Sequence, residues 1–104
     1  MIDHVTVAVS DLAKSKRFYE QAFAPLGSRI SFGEEGRFWA FDIGDGLFEI
    51  MQAEEKSPLT RVHVAFRVKS KAEVRDFYLA ALAAGARDNG APGPRPTAWV
   101  DGRV

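Results

Sequence analysis

Residues 4–28 read HVTVAVSDLAKSKRFYEQAFAPLGS, and residues 63–87 read HVAFRVKSKAEVRDFYLAALAAGAR. When the second stretch is shifted by 59 positions onto the first, eight of the 25 aligned positions are identical without a gap. His4 then aligns with His63, and these are the two histidines of the chain. A repeat of this kind predicts two similar structural modules. If the modules pack against one another, the two imidazoles can converge.

Hydrophobic periodicity predicts the elements of the first module. Alternating residues predict a strand over 2–9, and Ser10-Asp11 then offers an N-cap for a helix that ends at Gly27. A Gly44-Asp45-Gly46 turn is typical of a hairpin. The remaining strands of this βαβββ module, which spans residues 2–53, are predicted over 29–32, 37–43 and 47–53.

The second module is predicted to be shorter. After a linker over 54–59, a strand over 60–69 precedes a capping box, Ser70-x-x-Glu73, and a second helix. A loop over 88–96 and a short strand over 97–100 follow. A complete copy needs about 58 residues, but residues 60–104 supply 45. The prediction is therefore one α+β domain over 1–104, with paired βαβββ modules of which the second, 60–104, lacks about two strands.

Composition excludes several classes of function. Fourteen basic residues balance fourteen acidic residues, and no basic tract is present, so nucleic acid is not an expected partner. No apolar run approaches the roughly 20 residues of a membrane span, so no membrane partner is expected. The absence of cysteine excludes disulfides and thiolate metal sites. With no signal peptide recognised, a cytoplasmic location is the default expectation.

The chain resembles the vicinal oxygen chelate superfamily, which includes glyoxalase I, extradiol dioxygenases and bleomycin-resistance proteins. The opening is a hydrophobic-Asp-His-hydrophobic strand followed by Asp-Leu-x-x-Ser-x-x-Phe-Tyr, and it is fairly specific to this group. The resemblance covers residues 1–96 and rests on IDHVTVAVSDLAKSKRFYEQAFAPLG, LFEIMQA, RVHVAFRV and AEVRDFYLAALAAGARDNGAPGPRP. Because one scaffold supports different chemistries, it indicates the fold more firmly than the reaction.

The resemblance implies a site on the concave side of a half-open barrel. Family members place a metal there, and the matching ligands are His4 and His63 from the first strands and Glu49 from the last strand of module one. The expected metal is divalent Zn, Ni, Mn or Fe. A fourth ligand, a carboxylate, is expected near position 108, beyond the 104 residues of the chain. In such enzymes a carboxylate also moves protons, so Glu49 is the candidate catalytic residue.

The residue types support this chemistry independently of the resemblance. Two neutral imidazoles and one carboxylate suit a divalent transition metal, which can polarise a carbonyl oxygen of a substrate. Burying the unpaired carboxylate of Glu49 in an apolar strand costs several kcal/mol, unless a metal or an exposed concave surface relieves it. The alternative is that His4 and His63 are ordinary strand residues and that Glu49 faces solvent.

Three residues are candidates for substrate binding. Because side chains alternate along a strand, Trp39 and Phe41 lie on one face of the third strand and Phe38 lies on the other. One of these faces lines the core or the cavity. We take Trp39 and Phe41 as candidate stacking surfaces. Arg67 shares the His63 side of its strand, where it either binds an anionic substrate or lies at a solvated edge.

Two classes of function remain open. The first is a metal-dependent lyase, isomerase or dioxygenase acting on a small oxygenated or carbonyl substrate. The second is a metal-free protein that binds and sequesters a drug-like or aromatic molecule. A third reading is an eroded or truncated copy whose missing strands come from a partner chain. Because an unpaired sheet edge invites pairing, a homodimer is predicted.

Overall fold

The structure is a computed structural model that describes residues 1–55, 58–59, 61–88 and 90–93. It confirms the predicted α+β class. The elements in chain order are β1 (His4–Val9), α1 (Leu12–Phe23), a 3-10 turn (Ala24–Leu26), β2 (Arg29–Glu34), β3 (Phe38–Asp42), β4 (Leu47–Gln52) and α2 (Lys71–Ala83).

The four strands form one mixed sheet in the order β1-β4-β3-β2. β1 runs parallel to β4, and the other two pairs are antiparallel. The register sets Thr6 of β1 and Ala40 of β3 on either side of Glu49 of β4. Because directly paired residues point to the same face of a sheet, these three residues share one face.

Local signals explain where the two helices begin. Asp11 accepts a hydrogen bond from the backbone N–H of Lys14 at 3.1 Å and so caps α1. The predicted capping box of α2 is confirmed in a variant form. Ser70 Oγ accepts from the N–H of Glu73 at 3.2 Å, and the carboxylate of Glu73 accepts from the N–H of Lys69 at 2.7 Å.

The hydrophobic core lies between the helices and one face of the sheet. Phe23 of α1 is fully buried, and its ring contacts five other aromatic rings at centroid distances from 5.0 to 6.0 Å. Fully burying one such side chain contributes about 1.5–3 kcal/mol. The five rings belong to Tyr19, Phe41, Phe48, Phe66 and Phe77.

Gln52 ties the end of β4 to the turn that enters α1. Its side-chain Nε2 donates to the carbonyl of Ser10 at 2.9 Å, and its Oε1 accepts from the N–H of Leu12 at 3.0 Å. The same amide therefore satisfies a carbonyl of the turn and one of the unpaired N–H groups at the helix start.

A strand is predicted over 60–69, and the described residues 61–69 do not form a hydrogen-bonded strand. Residues 61–69 still alternate, with Val64, Phe66 and Val68 half-buried and their neighbours exposed. Within the described part of the chain only Arg67 makes an isolated bridge. An alternating sequence fixes which side is buried, but a ladder also needs a neighbouring strand in register.

Two further predictions concern residues that the structure describes only in part or not at all. The strand predicted over 97–100 and part of the preceding loop lie outside the described residues. The linker over 54–59 includes two undescribed positions, so the module boundaries stay predictions. Among the residues that are described, no helix combines the length and apolarity needed to cross a membrane.

Candidate functional site

The sheet face opposite the helices, called the open face here, carries the polar candidates. His4 and Thr6 of β1 lie next to Leu47 and Glu49 of β4 in the register. The aromatic core occupies the other face, and several side chains on the open face reach solvent, although Ala40 is fully buried there. Phe32 and Met51 retain 50% and 42% exposure there.

A shallow depression of about 300 Å³ lies on the open face. Strands β1, β2, β3 and β4 and the turn between β2 and β3 all contribute to it. This volume is at the lower end of the range for small-molecule pockets. Its lining residues are Thr6, Phe32, Arg37, Phe38, Glu49 and Met51.

The polar part of the depression is a pair made by Thr6 and Glu49. Thr6 Oγ1 donates to Glu49 Oε1 at 2.9 Å. The two residues are direct neighbours across the parallel β1–β4 pair, so the strand register itself brings the hydroxyl to the carboxylate. The hydrogen bond leaves the second carboxylate oxygen of Glu49 available to a ligand.

The walls of the depression are apolar and aromatic. Phe32 and Phe38 meet edge to face, with ring centroids 5.9 Å apart and an interplanar angle of 77°. Met51 adds a flexible thioether, a group that adapts to irregular ligands. At the rim, Arg37 Nη1 binds Glu34 Oε2 at 2.9 Å in an exposed ion pair, which contributes little to stability.

His4 lies on the same face and is influenced by Glu49. Its Nδ1 is 3.0 Å from Asp3 Oδ1. This hydrogen bond raises the pKa of His4 above its ordinary value, and the negative charge of Glu49 raises it further. The register places Glu49 two residues along β4 from Leu47, the partner of His4, so the two side chains are diagonal neighbours on the open face.

His63 does not join them in the structure. It is exposed on segment 61–69, which is not part of the sheet. Across residues 1–55, 58–59, 61–88 and 90–93, no group of three or more His, Cys, Asp or Glu side chains is arranged to hold a metal ion. The three-ligand set of His4, Glu49 and His63 therefore does not fit a metal in this arrangement. Because segment 61–69 does not join the sheet, no strand register holds His63 beside His4.

The aromatic candidates Trp39 and Phe41 lie on the sheet face opposite the depression, and their role as stacking surfaces stays a prediction. Phe41 has no exposed surface, and its ring is 5.3 Å from that of Phe23 in the core. Trp39 shares that face, half-buried, with Lys16 Nζ 4.4 Å from its ring centroid. Phe38 is the residue of β3 whose ring reaches the depression.

Arg67, the predicted anion-binding residue, lies outside the depression. It is exposed on the same segment as His63. The cation that lines the depression is Arg37, which follows the turn after β2. The positions of Arg67 and Arg37 do not show which of them binds a ligand, so a binding role for Arg67 stays a prediction.

Sequence reasoning missed several residues of the depression, and a signal existed for some of them. Thr6 shares the parity of His4, and Met51 shares the parity of Glu49, so alternation alone places them on the same face. Phe32 carries no such signal, because a register shift between Ile30 and Phe32 reverses the alternation of β2.

A protein-family model relates the chain to known proteins. The model of the Glyoxalase/Bleomycin resistance protein/Dioxygenase superfamily matches residues 1–100. Among curated proteins, none matches the chain significantly.

Solved structures show the same fold. A glyoxalase/bleomycin resistance protein from Albidiferax ferrireducens T118 is 24% identical, has a TM-score of 0.72, and the match covers 92% of this chain and 80% of that one. A possible glyoxalase from Bacillus cereus is 21% identical, with a TM-score of 0.58 and coverage of 82% and 74%. A glyoxalase/bleomycin resistance protein/dioxygenase from Nocardioides is 20% identical, with a TM-score of 0.57 and coverage of 92% and 69%.

Proposed function

Because the chain belongs to the glyoxalase/bleomycin resistance protein/dioxygenase superfamily, we propose that it binds a small organic molecule in the depression on the open face. The observation that carries this proposal is the Thr6–Glu49 hydrogen bond set among Phe32, Phe38 and Met51. A few fixed polar groups within apolar walls are the usual composition of a ligand site. Sequestration of a drug-like or aromatic molecule needs no more chemistry than this.

The two methionines of the chain provide a direct test. Met51 lines the depression, whereas Met1 is fully exposed at the N-terminus. In protein labelled with ¹³C at the methionine methyl groups, aromatic compounds that bind should shift the Met51 signal and leave the Met1 signal in place. Phe38→Ala should weaken this binding. Shifts confined to Met1, or binding that is unchanged in Phe38→Ala, would contradict the proposal.

A metal-dependent activity is the second candidate, and the diagonal placement of His4 and Glu49 on neighbouring strands favours it. These two side chains could begin a site for Zn, Ni, Mn or Fe, but further ligands are needed. The test is to strip the protein with chelator, reload each metal, desalt and count metal per chain. Retention near one metal per chain that is lost in both His4→Ala and Glu49→Gln would support the enzyme reading, whether lyase, isomerase or dioxygenase. Absence of retained metal would contradict it.

We also propose that the protein forms a homodimer through the outer edge of β1. The sheet order leaves β1 at an edge, and its carbonyls at Asp3 and Val9 bond toward β4. The intervening even-numbered residues therefore direct their N–H and C=O groups outward, where a second strand can pair. Light scattering should give a dimer for the natural chain and a monomer for Ala8→Pro, which removes an outward N–H. A natural chain that is monomeric at micromolar concentration would contradict this.

A further inference from the structure

We infer that the molecule bound in the depression is an aromatic cation whose amidinium or ammonium group pairs with the carboxylate of Glu49. The inference rests on the proposed function and deepens it by naming the ligand class. Three features of the depression support it. They are the carboxylate of Glu49, which has no ion-pair partner in the described residues, the ion pair that Arg37 already makes with Glu34, and the two phenylalanine rings that line the depression with Glu49.

Glu49 has no ion-pair partner in the described part of the chain. The two ion pairs found there join His4 to Asp3 and Arg37 to Glu34. The hydrogen bond from Thr6 comes from a neutral hydroxyl and reaches only Oε1. Glu49 is nevertheless half-buried, so it has lost part of its water, and when His4 is neutral no ion pair found in the described residues compensates its charge. A ligand cation would supply that charge through a charge-assisted hydrogen bond.

Arg37 is a poor site for an anion in comparison. Its guanidinium already binds Glu34 at 2.9 Å, and both side chains are mainly exposed at the rim. An anionic ligand would have to compete with Glu34 for Arg37 while lying near the negative charge of Glu49. The depression and its rim thus present two carboxylates and one guanidinium, an excess of negative charge that favours a cation.

The rings beside Glu49 suit an aromatic ligand with a positive group. Phe32 and Phe38 form an edge-to-face pair, so one ring presents its face and the other its edge within one wall. An incoming aromatic ring can extend this arrangement, and a cation near a ring face gains further attraction. A volume of about 300 Å³ accommodates a single ring with a short substituent.

Three compounds that differ almost only in charge provide the test: benzamidine, benzamide and benzoate. Binding is followed by the Met51 methyl signal in the full chain at a pH above the measured pKa of His4, so that a protonated imidazole does not compete for Glu49. We expect benzamidine to bind about tenfold more tightly than benzamide, and benzoate to bind most weakly. Glu49→Gln should abolish the preference. Glu20→Gln, which removes an exposed carboxylate on α1, should preserve it.

The outcomes separate this inference from the proposed function. If benzoate or benzamide shifts the Met51 signal at concentrations as low as benzamidine does, the depression binds small molecules but the cation inference is wrong. A benzamidine preference that survives in Glu49→Gln would overturn the inference as well. If all three compounds leave the Met51 signal unchanged up to their solubility limits, both the inference and the proposed function fail.

Discussion

The hydroxyl of Thr6 donates to the carboxylate of Glu49 at 2.9 Å, across the parallel pair of β1 and β4. This contact joins two points that are 43 residues apart in the chain. It orients the carboxylate at the floor of a depression whose walls are apolar. The binding function proposed above depends on this orientation more than on any other contact.

Thr6→Val should therefore affect ligand binding more than folding. The substitution keeps the β-branched shape but removes the hydroxyl that holds Glu49 Oε1. Because Thr6 is exposed, the free energy of unfolding should fall by about 1 kcal/mol or less, while affinity for benzamidine should fall about two- to fivefold. Thr6→Ser, which keeps the hydroxyl, should bind as the natural chain does. Urea unfolding and the Met51 methyl titration check both; equal binding in Thr6→Val and Thr6→Ser would argue against an orienting role.

Truncation of Phe41 should mainly reduce stability, whereas truncation of Phe38 should mainly weaken ligand binding. Phe41 is fully buried, so Phe41→Ala should cost about 3–5 kcal/mol of unfolding free energy. Phe38 is half-buried on the open face, so Phe38→Ala should cost about 1 kcal/mol but weaken ligand binding. Urea denaturation of both variants gives the comparison. If Phe38→Ala proves the more destabilising variant, the assignment of the two faces is wrong.

The titration of His4 should report on both of its acidic neighbours. Its pKa should lie above the ordinary histidine value, and Asp3→Asn should lower it more than Glu49→Gln does, since the hydrogen bond that His4 donates to Asp3 is the larger cause. Asp45→Asn, in an exposed turn, serves as the control. NMR titration of the imidazole protons measures each value. An unchanged His4 pKa in Asp3→Asn would contradict the hydrogen bond.

The same pKa shift fixes the sign of two pH effects. Because the folded-state pKa of His4 is raised, its contribution to stability is fully present below the pKa of the unfolded chain and is lost as pH rises through the folded-state pKa. Protonated His4 also competes with a ligand cation for Glu49. Affinity for benzamidine should therefore increase as pH rises through the His4 pKa, and His4→Gln should remove this increase. A benzamidine affinity that falls over this range would contradict the competition.

Gln52 should matter for stability although it does not line the depression. Gln52→Ala leaves the N–H of Leu12 and the carbonyl of Ser10 without their side-chain partner, which should cost about 1–3 kcal/mol. Gln21→Ala, on the exposed side of α1, should change stability by no more than about 0.5 kcal/mol. Urea unfolding of the two variants compares them. Equal stabilities would show that water replaces the amide.

Local signals in the sequence predicted much of the fold. The caps at Asp11 and Ser70 depend on side chains within four residues of each helix start, and the structure contains both. Alternation also predicts that His4 shares a face with Thr6 and Glu49 with Met51, because the two-residue period of a strand is set by backbone geometry.

The remaining features depend on tertiary context that local patterns do not contain. Trp39 and Phe41 alternate with Phe38, but periodicity alone does not say which face meets the helices, and aromatic residues suit either. The bulge before Phe32 depends on pairing with β3. The segment carrying His63 has a strand-like pattern without the partner that would make it a strand, so the expected convergence with His4 does not follow from the repeat.

Ligand binding on the open face can be tested by an intermolecular NOE measurement between benzamidine and the methyl-labelled protein. We expect NOEs from the ring protons of benzamidine to the Met51 methyl group and none to Met1, because Met51 and Glu49 both line the depression. NOEs to Met1 alone, or line broadening of bound benzamidine without any NOE to Met51, would place the ligand elsewhere and contradict a binding site on the open face.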